Sequence, residues 1–102
     1  MKLMTKELEK QFPPLYASEG KRSGQVKVVA KFFDPCGSWT WYATEYDPVE
    51  RIFFGLVVGL ESELGYFSLD ELQSFKGLLG LGIERDLYFG EHTLKEVTSS
   101  HL

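Results

Sequence analysis

A single cysteine, Cys36, leaves this 102-residue chain without a partner for an intramolecular disulfide and without a cysteine-rich metal site. The only histidines, His92 and His101, match no compact zinc spacing. No apolar run approaches the ~18 residues that a membrane-spanning helix requires. The longest, Ile52 to Leu60, is broken by Gly55 and Gly59. The opening residues, Met1 to Glu7, hold no signal-peptide hydrophobic stretch. The glycine-rich stretch Gly77 to Gly82 carries neither a Walker lysine nor a Gly-x-Gly-x-x-Gly pattern, so it makes a weak phosphate loop. These absences predict a cytoplasmic protein with no membrane association, no metal and no cofactor.

What is present is aromatic and unevenly charged. Aromatic residues make up 15% of the chain and hydrophobic residues 43%, which argues for a packed globule over a disordered chain. Residues 1–31 carry seven Lys/Arg against three Glu, a net of +4, and residues 32–102 carry four against twelve Asp/Glu, a net of −8. Such segregation can steer partners, although solvated loops and a lysine-protected sheet edge account for it better. Four aromatic residues crowd between Trp39 and Tyr46. On one continuous strand Trp39 and Trp41 share a face and Tyr42 and Tyr46 share the other. The tryptophan pair is expected buried, and the tyrosine face is expected to meet a partner.

Local patterns predict one α+β domain over residues 1–102: a twisted antiparallel sheet of four or five strands with one main helix packed on one face. Residues 1–12 read as a short helix or arm, with Thr5 as N-cap and Pro13-Pro14 as terminator. Val26 to Phe33 alternates as a first strand. Asp34-Pro35-Cys36-Gly37 has the chemistry of a turn and leads into the aromatic strand. Ile52 to Leu60 and Leu64 to Phe67 complete a four-stranded meander. Ser68-Leu69-Asp70-Glu71 is a capping box that opens the main helix, which Gly77 ends. The N-terminal segment and the glycine-rich stretch are expected to cover part of the opposite face. Ile83 to Phe89 reads as a fifth strand. Thr93 to Glu96 repeats the box, and residues 98–102 are expected to fray.

Chemistry is sparse in these patterns. Cys36 lies between Pro35 and Gly37 with no adjacent base or cation, so it makes a poor nucleophile. Glu45, Glu61, Glu63, Glu84 and Asp86 can serve acid–base chemistry only if the fold brings them together. Asp34, or Glu45 and Asp47 sharing a strand face, can contribute to a hard-cation site, a role that surface carboxylates seldom fill. Glu84-Arg85-Asp86 is the run least explained by packing. It reads as an exposed strand start, as Arg85 paired with Glu63 or Asp70, or as Arg85 facing a pocket to bind an anion. Trp39 and Trp41 can stack unpaired bases, but their strand lacks interleaved Lys or Arg.

The motifs Pro13-Pro14-Leu15-Tyr16, Gly37-Ser38-Trp39-Thr40-Trp41-Tyr42, Phe53-Phe54-Gly55, Glu63 to Leu72 and Gly82 to Phe89 together resemble the bacterial family catalogued as domain of unknown function 2958. The resemblance covers about residues 13–97 and leaves out the opening helix and the tail. Gly80-Leu81-Gly82 departs from it where the family tends to place proline. It implies cargo of plasmids, phages and other mobile elements, alone or fused, and brings no catalytic residue with it.

The functional expectation is therefore a non-enzymatic interaction protein of a mobile genetic element, a counter-defence inhibitor that binds a host nucleic-acid-directed complex. Its partner would be a protein, met through Tyr42, Tyr46, Glu45, Asp47, Glu84, Arg85 and Asp86, with the chain a monomer or homodimer. The alternatives are a small hydrolase or transferase using clustered Glu/Asp with Arg85, and a single-stranded nucleic-acid binder using Trp39 and Trp41.

Overall fold

The computed structural model describes residues 1–101. Five strands form one antiparallel sheet in the order β5-β4-β3-β2-β6, from β2 (Ala30–Phe33), β3 (Thr40–Asp47), β4 (Ile52–Val58), β5 (Ser62–Ser68) and β6 (Glu84–Arg85). β1 (Lys27–Val28) pairs separately with β7 (His92–Thr93). The α+β class and the four-strand meander are thus present. The expected long first strand is interrupted at Val29, although its amide still donates to the Ala43 carbonyl at 2.8 Å. The expected fifth strand shrinks to two residues beside Phe32 and Phe33.

The turn after β2 closes through its own side chain. Asp34 Oδ1 accepts from the Cys36 amide at 3.1 Å, and the Asp34 carbonyl accepts from Gly37 at 3.2 Å. Proline at the first central position fixes φ, and the acceptor just before it holds the reversal.

A bulge in β3 sets the two faces. Ala43 opposes Gly55 and Glu45 opposes Phe54, so Thr44 is an extra residue that reverses the alternation. Tyr42 and Tyr46 consequently lie on opposite faces, each in a different buried cluster. The expected assignment of the aromatic pairs is inverted. Tyr42 and Tyr46 are 5% and 2% exposed, whereas Trp39 precedes the strand and is 44% exposed.

One face is covered by α1 (Lys6–Glu9), the residues before it and α2 (Leu69–Ser74). Leu3, Leu8, Leu69 and Leu72 bury there with Phe32, Tyr46 and Phe53. Phe53 is the hub, with ring centroids of Phe32, Tyr46 and Phe67 at 5.3, 4.7 and 5.2 Å. The N-terminal segment therefore shares the α2 face instead of covering the opposite one. Gln73 holds it, donating to the Met1 carbonyl at 2.7 Å and accepting from the Leu3 amide at 3.1 Å.

The opposite face packs against α3 (Leu94–Ser99), which buries Leu94 and Val97 over Val26, Val28, Tyr42 and Leu56. The glycine-rich stretch does not do this; Leu78 and Leu79 there are exposed. Three short helices thus share the two faces. Thr93 caps α3 with a complete box, its hydroxyl accepting from the Glu96 amide while Glu96 accepts from the Thr93 amide. The Thr93 backbone donor holds the Glu96 carboxyl below its ordinary range. The fray expected from Thr98 is replaced by helix through Ser99, and His101 Nε2 lies 2.8 Å from the Tyr42 hydroxyl. Leu102 lies outside the described residues.

Candidate interaction surface

β5 is an outer strand of seven residues with no strand beyond it among the described residues. The Leu69 amide donates to the Arg51 carbonyl at 2.9 Å, which fixes the phase of the β4–β5 ladder. Counting by twos along the register, Phe67, Gly65 and Glu63 turn their backbone groups toward β4. Ser62, Leu64 and Tyr66 therefore point their amides and carbonyls outward, where they are free to pair with an added strand.

The side chains of Leu64 and Tyr66 stand on the α3 face, 53% and 55% exposed. With Phe54, Tyr16, Val26 and Leu94 they line an apolar groove of about 430 Å³. The Tyr66 ring meets Phe54 edge-on at 5.0 Å. A hydrogen bond with the Tyr16 side chain, and then burial, push the Tyr66 hydroxyl above its ordinary ionisation range.

Glu45 anchors the far wall. It is 3% exposed, and its two carboxylate oxygens accept from the Tyr16 and Ser18 amides, both at 2.8 Å. A buried carboxylate is tolerated where backbone donors replace its water. The same contact holds Tyr16 at φ 73°, a left-handed conformation unfavourable for an aromatic residue. Backbone strain at the lip of an exposed apolar groove is a pointer to function.

Charge within the strand segment is acidic, although Lys21 lines the groove together with Leu64 and Tyr66. Residues 52–75 contain Glu61, Glu63, Asp70 and Glu71 and no lysine or arginine. Asp70 is engaged by Arg51, whose Nε lies 2.7 Å from Oδ1.

The family model described as "Protein of unknown function (DUF2958)" matches residues 3–99. The chain belongs to the DUF2958 family. The match includes the opening helix, which the sequence resemblance had left outside. No curated protein and no solved structure matches the chain.

In this DUF2958 chain the seven residues expected to meet a partner do not form one surface. Tyr42, Tyr46 and Glu45 are buried. Asp47 closes β3 and accepts from the Val49 amide at 3.0 Å. Glu84, Arg85 and Asp86 lie at the β6 edge, four interstrand spacings from β5, or about 19 Å. Glu63 and Glu84 therefore stand at opposite edges and Glu45 is fully engaged, so the carboxylates proposed for acid–base chemistry do not converge. Arg85 pairs with neither Glu63 nor Asp70. Its Nη1 is buried without a hydrogen-bond partner, and the side chain lines a cavity of about 250 Å³ shared with Glu7 and Asp86, a poor setting for an anion. Among the described residues no three His, Cys, Asp or Glu side chains gather at metal-binding distance, and no helix is long and apolar enough to cross a membrane.

A polar cavity of about 440 Å³ that linear spacing conceals lies on the α3 face, with Lys31, Tyr42, Asp86 and His92 on its walls. Lys31 Nζ is 3.9 Å from Asp86, and the Tyr42 hydroxyl meets His101. Burial, and secondarily the Asp86 charge, push the Tyr42 hydroxyl above its ordinary value, and burial does the same to Tyr46. A phenol whose folded pKa is raised holds its proton while the unfolded chain releases one. Its stabilisation is complete below the unfolded value of 10.0 and is lost as pH rises above it. Denaturant midpoints are therefore expected to fall between pH 9.5 and 11 (about the window of tyrosine ionisation). The fall should flatten in the Tyr42→Phe variant.

Proposed function

We propose that this protein is a non-enzymatic interaction module of a mobile genetic element, binding a basic, extended segment of another protein along β5. The observation that carries this reading is the free edge of β5, bordered by the exposed Leu64 and Tyr66 and carrying Glu63, with Glu61 just before it. Strand addition takes its affinity from main-chain hydrogen bonds and its specificity from side-chain pockets on alternate residues. The groove beside Leu64 and Tyr66 suits the apolar residues of an incoming strand, and Glu61, Glu63 and Glu71 suit cationic ones. Within the mobile-element setting implied by the family resemblance, the fitting partner is a nucleic-acid-directed host complex, whose phosphate-binding surfaces are basic. Inhibition would follow from occupying such a segment.

Base stacking on Trp39 and Trp41 is the weaker reading, because Trp39 to Asp47 carries no lysine or arginine to meet phosphates.

Leu64→Pro tests the proposal. It removes an outward amide without touching the β4 ladder, a place where edge strands tolerate proline. A ten-residue peptide alternating lysine with valine is the probe. Wild type is expected to bind it, and Leu64→Pro to weaken binding by about tenfold or more. A glutamate-for-lysine peptide should not bind. Equal binding by Leu64→Pro would overturn the reading. Concentration-dependent self-association abolished by Leu64→Pro would also overturn it, by showing that a second copy takes the edge.

A further inference from the structure

On the other face of the sheet, beneath α2, lies a small cleft of about 170 Å³ lined by Trp41, Phe67, Phe75, Leu72, Ser68 and Glu71. Three of the six side chains are aromatic and one is a carboxylate. Phe75 is exposed, Trp41 and Phe67 are half-buried, and Trp41 is buttressed from outside the cleft by Trp39, stacked at 6.1 Å.

The capping box expected at Ser68 is only half made. The Ser68 hydroxyl accepts from the Glu71 amide at 3.2 Å, but no return bond from the Glu71 carboxylate to the Ser68 amide is formed. Among the described residues the Glu71 side chain makes no hydrogen bond or ion pair, and Lys76, the next cation along the chain, does not reach it. Glu63 stands on the same face, in the cross-strand row Trp41–Val57–Glu63. Aromatic rings around a small volume, with one unpaired carboxylate at its wall, are the chemistry that binds a soft organic cation.

We propose that this cleft binds a cationic side chain, an arginine guanidinium or a lysine ammonium in free or methylated form. The proposal rests on the interaction reading for the source of that cation, not for the cleft itself. An incoming strand at β5 would present alternate residues to this face, where Phe67 and Glu63 of β5 also point. Phe67 forms the near wall and Trp41 the far one, two strands in.

Two-dimensional NMR of the tryptophan indole groups provides the test, with Trp39→Phe used to assign Trp41. The probes are N-acetyl-arginine methylamide, N-acetyl-trimethyllysine methylamide and the neutral tert-butyl isostere of the latter. Both cations are expected to move the Trp41 indole resonance saturably, and the neutral isostere to bind about fivefold more weakly. Glu71→Gln should weaken both cations by about threefold to tenfold and leave the isostere unchanged. Leu64→Pro should leave these titrations unaltered. Equal binding of the isostere with no effect of Glu71→Gln would overturn the proposal, as would an unmoved Trp41 resonance. Cation binding without binding of the lysine–valine peptide would sustain the cleft and defeat strand addition. Peptide binding with an unresponsive Trp41 would do the reverse.

Discussion

Gly55→Ala is expected to leave the protein unfolded. Gly55 sits mid-strand in β4 between Ala43 and Gly65, beside the bulge at Thr44. A Cβ there would fall on the Tyr42 carbonyl oxygen and crowd the Ala43 Cα. Both are backbone atoms of the neighbouring strand, so no rotamer change relieves the clash. The central pair of the sheet would have to separate or abandon its register, forfeiting the Phe53 cluster on one face and Leu56 on the other. The expected cost exceeds about 5 kcal/mol, comparable to the whole stability of a small domain. The amide spectrum should collapse to the narrow dispersion of an unfolded chain. A dispersed spectrum with a melting temperature near that of wild type would show that the bulge does not hold β3 as closely as described.

Leu3→Ala is expected to have the next largest effect on stability, although composition and position make residue 3 look like part of a loose arm. Leu3 is fully buried between the sheet and α2, in the cluster of Leu8, Phe32, Phe53, Leu69 and Leu72. Gln73 bonds to the Leu3 amide and to the Met1 carbonyl before it, and this hydrogen-bonded clamp prevents the segment from collapsing into the space that truncation would leave. A clamped, well-packed leucine belongs toward the upper part of the range for such truncations, about 3–4 kcal/mol. For a domain of this size that is a fall in melting temperature of about 15 °C. Thermal denaturation by circular dichroism measures it directly. A change of only a few degrees would show that the arm contributes little to the fold.

Much of the architecture is legible in short-range chemistry, because turns and caps are decided by residues in contact along the chain. Asp34 to Gly37 closes the hairpin, and Ser68 and Thr93 start the helices where their side chains can reach the third amide. What is not legible depends on registers that no local pattern records. One additional residue at Thr44 moves Tyr42 and Tyr46 to opposite faces; α3 then buries Tyr42, the first cluster buries Tyr46, and Trp39 is left outside because the strand starts after it. Glu45 reads as a surface carboxylate until the segment after Pro14 lays two amides against it. His101 reads as a tail residue until α3 brings it to Tyr42. The proposed interaction surface was not legible: the residues expected to meet a partner lie elsewhere, and an outer strand is recognised only once its neighbours are known.

Amide hydrogen exchange along β5, with and without the lysine–valine peptide, tests the central claim most directly. Ser62, Leu64 and Tyr66 should exchange fast in the free protein, because their amides face outward, while Glu63, Gly65 and Phe67 are protected by β4. Peptide at saturation should slow Leu64 and Tyr66 by about tenfold or more and leave the inward set unchanged. Saturable binding that leaves the outward amides exchanging as before would contradict strand addition and place the partner elsewhere on the molecule.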